Sequence, residues 1–147
     1  WYIATMVPHD EEDRQRIRKH IASRSGKGFI TLESADADPS IAIGREKDTF
    51  LLDSVTALLS NRMFRNDYSV DPECGKKTTE ALLQLAGRVN NIVFVSDYIY
   101  ADAENYGELT EEYRRNLALI DQALANAAGL VIALTGSFPI VHKGELL

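Results

Sequence analysis

The sequence has a single cysteine, no surplus of positive charge, no long apolar run and no methionine at its start. Each lack narrows the reading. Cys74 alone cannot form an intrachain disulfide, and it sits among Asp71, Pro72, Glu73 and Gly75, so a reducing cytoplasm is the natural compartment. A net charge of -6 opposes the basic patch or stripe of a nucleic-acid binder. It leaves room for local basic clusters that hold phosphates. No apolar stretch approaches the roughly 20 residues of a membrane span, and the start lacks the basic-then-apolar pattern of a signal peptide. There is no internal repeat and no low-complexity segment. His9, His20 and His142 have no metal-ligand spacing among themselves.

What is present is an ordinary globular balance, 45% hydrophobic and 26% charged over 147 residues, which suits one domain across residues 1–147 with a real core. Trp1-Tyr2-Ile3-Ala4-Thr5 is aromatic and β-branched and reads as a strand already under way. With no initiator methionine before it, the chain is expected to be a fragment or a processed form.

Pro8 and Asp10 open a highly charged helix over Glu11 to Ser23, with only Ile17 and Ile21 as large apolar residues. Ser25-Gly26-Lys27-Gly28 breaks it. Phe29 to Leu32 is a short strand, and Asp36 to Asp48 a polar loop with one turn of helix. Thr49 to Asp53 is a strand ending in a carboxylate, followed by a helix over Val55 to Phe64. Arg65 to Lys77 is turn-rich. Thr78 to Val89 is a helix with Leu82, Leu83, Leu85 and Ala86 on its buried face. Ile92 to Val95 is a continuous apolar strand, of the kind covered on both faces in a parallel sheet. Thr110 is the expected N-cap of a helix carrying Tyr113, Leu117, Ile120, Leu124 and Ala127 in one stripe, which Gly129 ends. Leu130 to Leu134 is a further strand. Strands alternating with helices indicate an α/β domain with a mostly parallel sheet flanked by helices. Ligands in such sheets sit at the carboxyl ends of strands, which points to Thr5, Asp53, Asp97 and Thr135.

Three constellations could carry chemistry. Arg16, His20 and Arg24 are spaced four apart on one helix. An imidazole can attack phosphorus while arginines hold the phosphate oxygens; the plain alternative is a surface histidine on a charged helix. Asp53, after three apolar residues, has the pattern of the Mg²⁺-associated carboxylate of P-loop enzymes, although many α/β strands simply end in Asp. Asp97, Asp102, Glu104, Glu108, Glu111 and Glu112 form an acidic stretch that reads either as a metal or cation site or as solvated carboxylates at a helix start. Ser25-Gly26-Lys27-Gly28 looks like the tail of a phosphate loop but fails its template. Ile21 stands where the first Gly belongs, and Gly28 stands where Ser or Thr should follow Lys. It reads as a turn.

Taken in order, Tyr2-Ile3-Ala4-Thr5, Arg16-Ile17, His20, Arg24 and Thr31-Leu32-Glu33 resemble the segment around the guanylylated histidine of the bifunctional adenosylcobinamide kinase/adenosylcobinamide-phosphate guanylyltransferases. Leu51 to Thr56 and Ser60-Asn61 resemble that family's acidic strand and its sequel. Val95-Ser96, Tyr113-Arg114, Gln122 to Ala125, Gly136 and Lys143 follow in the same order. The resemblance implies a P-loop NTPase-like (RecA-like) fold whose first strand and phosphate-binding loop would precede Trp1. It implies His20 as the nucleophile that takes GMP from GTP and passes it to adenosylcobinamide phosphate. It implies nucleotide contacts from Ala4, Thr5 and Met6, from Ile21, Ala22, Ser23 and Arg24, and from Glu33 and Asp53, with Arg16 as a further phosphate contact. Mg²⁺ at Asp53, GTP and ATP as substrates, a corrinoid acceptor and a trimeric assembly are implied too. Asp97-Tyr98-Ile99-Tyr100, Arg115 and Asp121 depart from the family's usual residues. The alternatives are a non-catalytic nucleotide- or corrinoid-binding homologue and another P-loop kinase or NTPase.

Overall fold

The computed structural model describes residues 1–64, 71 and 73–146. Most of the turn-rich stretch expected between Arg65 and Lys77 lies outside these residues. Strand β1 (Tyr2–Ala4) leads to helix α1 (Glu11–Arg24), and then come β2 (Thr31–Glu33), a 3-10 helix at Pro39–Ala42 and β3 (Thr49–Asp53). The order continues with α2 (Val55–Met63), α3 (Cys74–Arg88), β4 (Asn91–Val95), α4 (Glu108–Ala127), β5 (Val131–Thr135) and β6 (Phe138–Lys143). Strands β1 to β4 form one parallel sheet in the order β2-β1-β3-β4. The fold is α/β, a parallel sheet flanked by helices and consistent with a P-loop-like NTPase domain.

The alternation of side chains along each strand divides this sheet into two unlike faces. Ile3, Phe50 and Leu52 are fully buried on one face. They share a core with Val55, Leu58, Leu59 and Met63 of α2, Cys74, Leu82 and Leu85 of α3, and Leu117, Ile120 and Leu124 of α4. The opposite face carries Tyr2, Ala4, Glu33 and Asp53, and against it lies α1, which buries no residue of its own. That helix stands on local signals. The Asp10 carboxylate caps the Asp13 amide, and Glu11, Glu12 and Asp13 fill the first turn, where the helix dipole favours negative charge.

The expectation that β4 is covered on both faces is corrected by the structure. Ile92 and Phe94 pack on the core, but Val93 is 52% exposed and Val95 lies open beside it, because the face of β4 away from the core is left uncovered. Strand β2 begins two residues later than expected, since its ladder to β1 starts at the pairing of Tyr2 with Thr31. Helix α3 begins at Cys74, a turn before Thr78. Thr78 and Thr79 donate their hydroxyls back to the carbonyls of Cys74 and Gly75, inside a helix already formed. Gly75 is needed there: a Cβ would meet the Asn116 side chain of α4 at 2.1 Å. Helix α4 is capped at Gly107, so Thr110 lies inside its first turn.

The largest correction concerns the last strand. β5 leaves the parallel sheet and pairs antiparallel with β6. Gly136 and Ser137 connect them with φ of 54° and 72°, the two positive values that a tight hairpin turn of matching twist requires. Thr135 therefore ends a hairpin strand and does not join Thr5, Asp53 and Asp97 at the carboxyl edge of the parallel sheet. Lys143 of β6 ties the hairpin back, donating to the carbonyls of Ala125 and Asn126 at the end of α4. No helix among the described residues is long and apolar enough to cross a membrane.

Candidate functional site

The strand register aligns the site. Ala4 pairs with Glu33 on one side and with Asp53 on the other, so one small residue separates two carboxylates at the same level of three neighbouring strands. At strand spacings of about 4.8 Å, the Cα atoms of Glu33 and Asp53 stand ~10 Å apart. The methyl of Ala4 leaves the space between them open. Ile17, His20 and Arg24 of α1 close the cleft from above, and Met6, Ser54 and Ala57 complete its wall.

Within the cleft, polar groups converge on Asp53. Its Oδ2 accepts a hydrogen bond from the Tyr2 hydroxyl and lies 4.0 Å from His20 Nδ1. The His20 side chain is 49% exposed, so a ligand can reach it. The Arg24 guanidinium carbon lies over the Tyr2 ring, 3.6 Å from its centroid, and Arg24 Nε is buried without a hydrogen-bond partner. Burial and the neighbouring Asp53 carboxylate both raise the Tyr2 hydroxyl well above its ordinary pKa. Tyr2 is therefore a fixed donor.

The carboxyl edge of the sheet is held by a clasp behind this cleft. Thr5 Oγ1 donates to the Ser54 carbonyl and accepts from the Ser54 amide, both at 2.8 Å. Ser54 Oγ caps α2 by accepting from the Ala57 amide. Asn61 Nδ2 donates to the carbonyls of Thr5 and Ala35 and so ties the ends of β1 and β2 to α2. The peptide bond between Asp53 and Ser54 is cis.

Of the residues singled out from the sequence, Ala4, Met6, His20, Arg24, Glu33 and Asp53 line this cleft. Thr5 sits behind it in the clasp. Ile21, Ala22 and Ser23 do not line it: Ile21 is 50% exposed, and the Ser23 hydroxyl is turned to the His20 carbonyl. Arg16 also stays out, paired with Glu12 and Asp13 along the exposed side of α1. The helical repeat explains this. Ile17, His20 and Arg24, at i, i+3 and i+7, share a narrow face, and eight residues separate Arg16 from Arg24, about 80° around the helix. From the sequence Tyr2 reads as part of a buried strand, and Ile17 as half of a thin apolar stripe on a helix largely in water. The signal for Tyr2 was its two-residue spacing from Ala4, which puts both on one strand face.

The acidic stretch after β4 does not build a metal site. Asp102 and Glu111 pair with Arg114, and Glu112 pairs with Arg115. Among the described residues, no group of three or more histidine, cysteine or carboxylate side chains could hold a metal. Asp121 lies close by, accepting from Ser96 and from the Tyr100 hydroxyl at 3.0 Å each, and burial raises its carboxyl above the usual range. Ser25 to Gly28 forms the expected turn, with Gly26 and Gly28 at positive φ.

A family model described as cobinamide kinase / cobinamide phosphate guanyltransferase matches residues 1–141. The chain belongs to this family. No individually curated protein matches it. The cobinamide kinase/guanylyltransferases are transferases of cobalamin biosynthesis, so a cleft at the carboxyl ends of parallel strands is where their substrates are expected. In this family member that cleft contains an accessible imidazole, an arginine and two carboxylates on one sheet face.

Proposed function

We propose that this protein transfers GMP from GTP to adenosylcobinamide phosphate through a covalent adduct on His20. The observation that carries this reading is the placement of His20 in the cleft, with Nδ1 toward Asp53 and Arg24 one helical turn away. A carboxylate at Nδ1 favours the tautomer that bears its proton there and leaves the Nε2 lone pair for phosphorus. That lone pair forms an N–P bond to the α-phosphorus, and the bond from this phosphorus to the bridging oxygen breaks. Pyrophosphate departs with the electron pair. In the second half, a phosphate oxygen of the acceptor attacks the same phosphorus. The N–P bond breaks, His20 regains its lone pair, and a diphosphate linkage is left in the product. Arg24 is suited to the phosphate oxygens, since guanidinium groups bind them with paired hydrogen bonds.

Mg²⁺ fits the residues present. It is held by one or two carboxylates together with substrate phosphates and water, so it needs no all-protein cage. Asp53 keeps Oδ1 free of the Tyr2 and His20 contacts, and Glu33 stands across Ala4. These two carboxylates would hold the ion, which when bound supplies charge neutralisation for the triphosphate.

Full-length protein incubated with Mg²⁺ and GTP labelled at the α-phosphate is expected to acquire acid-labile label. His20→Ala is expected to abolish it. Undiminished labelling of His20→Ala would remove His20 from the nucleophile role. Label from the γ-phosphate alone would favour an ordinary kinase.

A further inference from the structure

We propose that Tyr2 is a positioning residue of this cleft, its hydroxyl fixing the Asp53 carboxylate beside His20 and its ring seating the Arg24 guanidinium. The inference rests on the guanylyl-transfer reading above. Tyr2 is only 6% exposed, and its hydroxyl has a single acceptor, Asp53 Oδ2. That same oxygen is the one 4.0 Å from His20 Nδ1. An Asp side chain can turn about two bonds. The Tyr2 hydrogen bond, running across from the neighbouring strand, selects the orientation that keeps Oδ2 near the imidazole and leaves Oδ1 free.

The ring does a second job. Arg24 closes α1, and its guanidinium lies over the Tyr2 ring at 3.6 Å while Phe29 meets that ring edge-on at 5.9 Å. A guanidinium held over an aromatic face is attracted by the ring and can still offer N–H groups to an anion. One side chain thus sets both the carboxylate that orients the nucleophile and the cation that meets the phosphate. A tyrosine needed only for the core would not have to place its hydroxyl on a cleft carboxylate; phenylalanine would fill the same space.

Tyr2→Phe separates the two jobs, because it deletes the hydroxyl and keeps the ring. In nucleotide-free protein, the ring ¹⁵N resonances of His20 are expected to move in Tyr2→Phe as Asp53 turns away. The rate of self-guanylylation is expected to fall about tenfold, as befits loss of one charge-assisted hydrogen bond, with GTP affinity within about twofold of the parent. Tyr2→Leu, which also removes the ring, is expected to weaken GTP binding further. Unshifted His20 resonances in Tyr2→Phe would overturn the positioning role, whatever the activity. So would a lower melting temperature with labelling rate and resonances unchanged, which marks a purely structural residue. If the parent protein takes no label at all, the transfer reading fails, and the resonances still decide whether Tyr2 positions the site.

Discussion

Replacing Arg114 with methionine should loosen the segment that follows β4 while leaving the rest of the fold standing. The Arg114 side chain is 9% exposed, reaches from α4 to Asp102 and Glu104, and pairs with Glu111 in the first turn of its own helix. Nη2 donates to Asp102 Oδ1 at 2.7 Å, and Nη1 donates to Glu111 Oε1 at 2.7 Å. Longer bonds run to the carbonyls of Glu104 and Asp102, and the guanidinium carbon lies 4.9 Å from the Tyr106 ring centroid. Methionine preserves the apolar stem and removes all of these. Two charge-assisted bonds in a dry site would be worth about 1.5–3 kcal/mol each. Asp102 and Glu111 are 46% and 34% exposed, however, so water takes over their hydration once they are released. Screening of that kind reduces each contribution to about 1 kcal/mol. Arg114 Nε is buried without a partner, and methionine removes that cost. The net loss is then about 1–2 kcal/mol, a fall of about 2–8 °C in Tm for a chain of this size. Urea melts and calorimetry measure it, and limited proteolysis should cut first between residues 97 and 107. A double-mutant cycle with Asp102→Asn should give a coupling of about 1 kcal/mol. A melting temperature within about a degree of the parent's, with no new proteolytic sensitivity, would refute the reasoning.

The folded state holds the Asp121 proton more tightly than the unfolded chain does, so the stability linked to that proton is present at low pH. It is lost as pH rises from the ordinary value of 3.8 through the raised folded value. Asp121→Asn keeps an oxygen for Ser96 and Tyr100, so its stability relative to the parent should grow over that range in urea melts; a difference that does not vary with pH would count against the burial account. Ala4→Leu should fill the space between Glu33 and Asp53 and weaken Mg·GTP binding at least about tenfold by calorimetric titration, a steric loss of more than ~1.4 kcal/mol. Unchanged binding would mean that the nucleotide lies elsewhere.

The succession of strands and helices was legible in the sequence because each element carries its own signals. The Asp10 cap, the apolar run ending in Asp53 and the stripe of Leu117, Ile120 and Leu124 are all local. Pairing partners were less legible. Nothing in Val131 to Thr135 distinguishes a parallel strand from a hairpin arm; the decision lies in Gly136-Ser137 and in the tie from Lys143 to α4. Helix α3 starts a turn before Thr78, and Thr78 and Thr79 then bond backward to Cys74 and Gly75, a role that their residue type does not announce. Motif order singles out His20, Arg24, Glu33 and Asp53, and the structure gathers them in one cleft. Arg16 was grouped with them by its spacing of four, yet the acidic first turn of its own helix draws it away. Spacing from Ala4 places Tyr2 on the cleft face, but its partner Asp53 lies 51 residues along the chain. Only the register of β1 beside β3 brings the two together.

The most direct test of the account is to locate the adduct. Full-length protein is incubated with GTP and Mg²⁺, digested under alkaline conditions that preserve phosphoramidates, and mapped by mass spectrometry. The account predicts GMP on the peptide that contains His20, and its disappearance when adenosylcobinamide phosphate is added. GMP on another residue, or an adduct on His20 that the acceptor cannot discharge, would contradict it.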